Sequence, residues 1–133
     1  MDCSTILKLG DIVLKEFIVE KMDSADHIGN KGVTVLSTPA MIKYIEETAA
    51  GFVYERISEK YRPVGTKINV KHVNPTPVGE KITVKAIVTN IAGPKVAFQV
   101  EALNSKHKIG YGEYELCVID LEEFINKFNI FNV

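Results

Sequence analysis

The chain has 133 residues, 46% hydrophobic and 25% charged, with a formal net charge of −1. That is enough to build a core without disulfide staples and is the composition of an ordinary soluble protein, so residues 1–133 read as a single domain. Its 16 basic and 17 acidic residues are interspersed, which excludes the basic stripe of a nucleic-acid binder, and no apolar run is long enough to cross a membrane. Met1 to Lys8 lacks a basic segment followed by an apolar one, so no secretory signal is expected. Cys3 and Cys117 make no C-x-x-C pair. Neither a disulfide framework nor a metal site is expected, and a reduced, cytoplasmic setting fits. No phosphate-binding glycine loop, G-x-S-x-G or H-E-x-x-H is present, and no cofactor is expected.

Asp11 to Lys21 alternates as a strand, with Val13, Lys15, Phe17 and Val19 on one face and Ile12, Leu14, Glu16 and Ile18 on the other. The polar stretch from Asp23 to Lys31, which includes His27, reads as a loop. Ser37-Thr38-Pro39 then signals a helix start, because Thr is a good N-cap and Pro suits the first helical position. The helix is expected from Pro39 to about Lys60, burying a stripe of Met41, Ile42, Ile45, Ala49, Phe52 and Val53. Gly65 to His72 alternates again: Lys67, Asn69 and Lys71 share the outward face, Ile68, Val70 and His72 the inward one. Lys67 and Lys71 form a small basic cluster, a solvated face able to attract an anion.

Asn74 to Gly79 holds two prolines and forms a stiff turn. Strands are expected over Lys81–Ile91, Lys95–Leu103 and Ile109–Asp120, with Cys117 as a small core residue and His107 in an exposed turn at Asn104–Lys108. Leu121–Phe128 reads as a short terminal helix. Short connections imply antiparallel neighbours. The fold class expected is therefore α+β, one long helix wrapped by an antiparallel sheet of about five strands.

Three residues carry the chemistry. Thr38 brings a hydroxyl to a helix start, where free N–H groups and the positive end of the dipole could face a carbonyl oxygen. Pro39 has no N–H, which leaves Ala40 and Met41 as the expected donors. Glu46, at about 100° per residue, falls on the flank of the apolar stripe, while Glu47 points nearly opposite. Half-burial would raise the pKa of Glu46 and suit it to general-base work. His72 ends an inward face on the next strand. Each also has a plain structural reading: a cap, a polar border and a core histidine. Taken together, they point to acyl transfer, and to hydrolysis in particular.

The element order, with Thr38-Pro39-Ala40-Met41 and Glu46, Gly65-Thr66 and His72, Pro77-Val78-Gly79-Glu80, and Ile109-Gly110-Tyr111-Gly112 through Val118-Ile119-Asp120, resembles a hotdog-fold thioesterase. It is most similar to the subgroup that includes fluoroacetyl-CoA thioesterase, over about Leu9 to Phe128. The resemblance implies an acyl-CoA substrate, a Thr/Glu/His site at Thr38, Glu46 and His72, and a contribution from Gly65. It also implies a homodimer or larger homo-oligomer, its sheets joined edge to edge and the site at the interface. Two positions depart from the subgroup: Tyr114 and Leu116 stand where it often has His-x-Arg, and Val33 and Leu36 occupy a region where the fluoroacetyl enzyme has an aromatic lid. The implied activity is hydrolysis of a small or medium acyl thioester. A non-catalytic acyl-CoA binding or sensing module on the same fold is the alternative.

Overall fold

A computed structural model describes residues 1–130. Its main elements are β1 (Ile12–Ile18), α1 (Thr38–Tyr54), β2 (Tyr61–His72), β3 (Lys81–Ala92), β4 (Lys95–Leu103), β5 (Lys108–Asp120) and α2 (Leu121–Lys127). The strands form one five-stranded sheet in the order β1-β3-β4-β5-β2, and every neighbouring pair is antiparallel. Hairpins explain the contiguous run β3-β4-β5. β1 and β2 flank α1 in sequence and end up as the two edges.

The core lies between α1 and the inner face of the sheet. Met41, Ile45, Ala49 and Val53 of α1 meet Ile82, Val84, Ala86 and Val88 of β3, Val96, Phe98 and Val100 of β4, and Leu116 and Val118 of β5. Ile82, Val84, Ala86 and Val88, which alternate along β3, are thus its buried set. On α1 the buried stripe also takes in Tyr44 and Thr48. Thr48 is satisfied internally, its hydroxyl donating to the Tyr44 carbonyl at 2.8 Å. Gly110 and Gly112 give β5 the clearance the packing needs. A Cβ at Gly110 would lie 2.5 Å from the Met41 sulfur, and one at Gly112 would lie 2.1 Å from the Asn69 carbonyl oxygen.

Four expectations need correction. The first strand stops at Ile18, because the chain turns into a 3-10 segment at Lys21–Asp23, closed by a reciprocal capping box between Glu20 and Asp23. α1 ends at Tyr54 rather than near Lys60, since the chain must turn back for Tyr61 to pair with Asp120. The helix cap is Ser37, not Thr38: its hydroxyl accepts from the Ala40 N–H at 3.2 Å. Cys117 lies in β5 as expected but on the outer face, half-buried, whereas Cys3 is the fully buried cysteine.

β2 is longer than expected and begins at Tyr61. It accommodates Pro63 because an edge strand has one side free of ladder bonds. The β2–β5 register shifts between Gly65 and Lys67, a bulge that opens the sheet edge beside α1.

Candidate active site

α1 and β2 run antiparallel to each other and meet at two places. At the first, Thr38 Oγ1 lies 2.9 Å from His72 Nδ1. The local sequence explains why Thr38 is available. Ser37 caps the helix and Thr38 falls one position inside it, so its hydroxyl is not drawn to the helix backbone. His72 ends β2 on the inward side, as alternation required, and is half-buried. Its Nε2 is buried with no hydrogen-bond partner among the described residues. Burial lowers the His72 pKa below the ordinary imidazole value, and a backbone contact with Asn74 offsets this in part. The ring is thus held neutral beside a hydroxyl, the state in which it can accept a proton.

The helix start is less open than the sequence implied. Ala40 N–H donates to Ser37 Oγ at 3.2 Å and Met41 N–H to the Ser37 carbonyl at 3.0 Å. Both expected donors are therefore engaged by the helix's own cap. Pro39 has no N–H, and the Thr38 N–H is the one without a partner among the described residues.

At the second meeting place, Glu46 of α1, the Gly65 bulge of β2 and Tyr114 of β5 converge. Glu46 is exposed in the single chain rather than half-buried. Its Oε2 accepts a 2.8 Å hydrogen bond from the Tyr114 hydroxyl. A Cβ at Gly65 would fall 2.1 Å from that oxygen and 2.8 Å from the Tyr114 hydroxyl, so no larger residue fits there with the pair in place. These residues, with Ile42, Thr66, Lys67 and Ile68, line a cleft of about 200 Å³. Tyr114 is 2% exposed, and its burial, together with the adjacent Glu46, raises its pKa, so the phenol remains a donor. Sequence reasoning noted Tyr114 only as a departure from the subgroup's His-x-Arg, and its polar tip was not recognised as a partner for Glu46.

Eight residues separate Thr38 from Glu46, about 12 Å of helix rise. Within one chain the fold therefore brings Thr38 and His72 together and holds Glu46 apart from them. A larger recess, about 650 Å³, lies elsewhere, between α2 and the outer side of β2 and β5. Its ion pair, Lys60–Asp120 at 3.6 Å, leaves the lysine largely exposed, and none of the three candidate residues lines it. His27 and His107 are exposed, and among the described residues neither hydrogen-bonds Thr38, Glu46 or His72.

A buried network holds the helix start in place. Asp23 is 1% exposed, accepts from Lys43 at 3.2 Å and from the Tyr44 hydroxyl, and its carbonyl accepts from the Ser37 N–H at 2.8 Å. Burial alone would raise the Asp23 pKa, but hydrogen bonds from Tyr44, the Glu20 backbone and Lys43 together lower it. The network escaped sequence reasoning because Asp23 opens a polar stretch and its partners are some twenty residues away.

Comparison with known proteins agrees with this architecture. A fluoroacetyl-CoA thioesterase structure superposes with a TM-score of 0.87 at 24% identity, covering 96% of this chain and 98% of that one. A mutant of that enzyme in complex with fluoroacetate and CoA gives 0.84 at 25% identity, over 89% and 99% of the two chains. A hot-dog-like protein from Thermanaerovibrio acidaminovorans gives 0.85 at 19% identity over 100% of both chains. Among curated proteins, none matches this chain in sequence. The family model described as fluoroacetyl-CoA-specific thioesterase matches residues 19–122. That match spans most of the 133 residues, so the chain belongs to the fluoroacetyl-CoA-specific thioesterase family and is an acyl-CoA thioesterase.

Proposed function

We propose that the chain hydrolyses a small or medium acyl-CoA at a Thr38/Glu46/His72 site completed by a second copy of itself. The observation that carries this reading is the 2.9 Å contact between Thr38 Oγ1 and His72 Nδ1, a hydroxyl beside a neutral imidazole. The thioester carbonyl sits at the start of α1, where the unengaged Thr38 N–H and the helix dipole stabilise the developing oxyanion. As Thr38 Oγ1 attacks the carbonyl carbon, its proton passes to His72 Nδ1. The carbon–sulfur bond then breaks, and the CoA thiolate leaves with that proton. Water, losing a proton to Glu46, cleaves the acyl-threonine ester; the Thr38 oxygen takes up that proton as it leaves, and the products are the free acid and CoA.

Glu46 cannot serve the Thr38 of its own chain across about 12 Å of helix. Symmetry supplies the alternative. If β2, an edge strand, pairs with its own copy about a two-fold axis, the two strands must run antiparallel. The Gly65 end of one then faces the His72 end of the other. Glu46, beside Gly65, would thereby reach the Thr38–His72 pair of the second subunit. An unpaired edge with Ile68 at 40% exposure favours such pairing. Gly65 contributes through the room it leaves for Glu46 and the acyl group.

The test is thiol release from a panel of acyl-CoAs, short to long and including aryl and halogenated acyl groups, with Glu46→Gln as control. Turnover of at least one member that collapses in the control is expected. CoA esters that bind without turnover anywhere in the panel would instead make the protein a binding or sensing module.

A further inference from the structure

Tyr114 is the least expected polar group in the molecule. It is 2% exposed, and its ring packs near Phe98 with centroids 6.3 Å apart, yet its hydroxyl leaves the core to meet a carboxylate. Three elements make that meeting possible. α1 delivers Glu46, the β2 bulge withdraws the backbone, and Gly65 removes the one Cβ that would collide with both partners. A buried phenol needs a partner, and among the described residues Glu46 is the one the Tyr114 hydroxyl bonds. The bond engages Oε2 alone, which leaves Oε1 for whatever enters the cleft.

We infer that Tyr114 is a positioning residue: it fixes the rotamer of Glu46 through Oε2 so that Oε1 is presented to the attacking water, with Gly65 as the space in which the pair fits. This rests on the reading that Glu46 is the base for that water. A solvent-exposed glutamate has three rotatable bonds and loses catalytic geometry readily unless one oxygen is held. The other charged groups nearby are Lys67 of β2, which shares the cleft and lies 3.7 Å from Glu113 of β5, and Lys43 and Glu47 on α1 itself.

Tyr114→Phe keeps the ring and removes the bond. With an acyl-CoA from the panel that wild type hydrolyses, kcat should fall about ten- to a hundredfold with KM nearly unchanged. In a Glu46→Gln background the same change should have no further effect, because the two act as one unit. A readout independent of turnover is the crystal structure of Tyr114→Phe, in which the Glu46 side chain should leave its wild-type rotamer or spread over several. Unchanged kcat and an unmoved Glu46 rotamer in Tyr114→Phe, with Glu46→Gln inactive, would overturn the positioning role and leave the hydrolase reading standing. Full turnover in Glu46→Gln would remove Glu46 from the chemistry and the role of Tyr114 with it. An equal loss from Tyr114→Phe in both backgrounds would also contradict the inference.

Discussion

Ser37 and Thr38 are adjacent hydroxyl residues with different work, and substitution separates them. Ser37 caps α1, so Ser37→Ala should cost about 1 kcal/mol in denaturant unfolding. Among the described residues the Thr38 hydroxyl bonds only to His72, so Thr38→Ala should leave stability within about 0.5 kcal/mol while reducing turnover at least about a hundredfold. The sequence marked a helix start here but could not divide the roles, because both residues are good caps and a one-residue shift exchanges them. His72 was legible as inward-facing from strand alternation, and its protonation carries a second prediction. Burial lowers its folded pKa from 6.5, so the unfolded chain takes up a proton first as pH falls. Stability is unaffected well above 6.5 and decreases as pH drops below it towards the folded value. Between about pH 7.5 and about pH 5, wild type should lose more Tm than His72→Asn. Parallel losses in the two proteins would contradict this assignment.

At the scale of elements, β2 and its bulge explain most of the site. The alternating residues from Gly65 to His72 read correctly as a strand, and the inward face was identified. A bulge has no local sequence signal beyond a glycine, so the close approach of Glu46 and Tyr114 at Gly65 was not visible. Gly65→Ala would put a methyl carbon 2.1 Å from Glu46 Oε2, the far end of a flexible side chain. The side chain can swing away, so the stability cost should stay below about 1 kcal/mol. Turnover should drop about tenfold or more, since the carboxylate moves out of register. Assays at saturating acyl-CoA together with thermal melts separate the two effects. A large loss of Tm with proportionate loss of activity would mean that Gly65 serves packing alone. The end of α1 was misjudged for a related reason: residues past Tyr54 are compatible with a helix, but the return to pair Tyr61 with Asp120 is a tertiary demand.

In the whole molecule, the order of strands follows from hairpin connectivity, which is why the α+β architecture was readable from the sequence. Which residues share one reaction centre was not readable, because Thr38 and Glu46 lie on one helix yet about 12 Å apart along it. The proposed dimer resolves that distance: antiparallel pairing of β2 edges would set the Glu46 of each subunit against Thr38 and His72 of the other. Two inactive variants should then rescue one another. In a dimer of one Thr38→Ala chain and one Glu46→Gln chain, one site has both substitutions and the other has neither. The decisive measurement is thiol release after the two variants are unfolded together and refolded as a mixture. Random pairing predicts recovery of about a quarter of wild-type activity, because half the dimers are mixed and each carries one intact site. A mixture no more active than either variant alone would contradict a site shared between subunits.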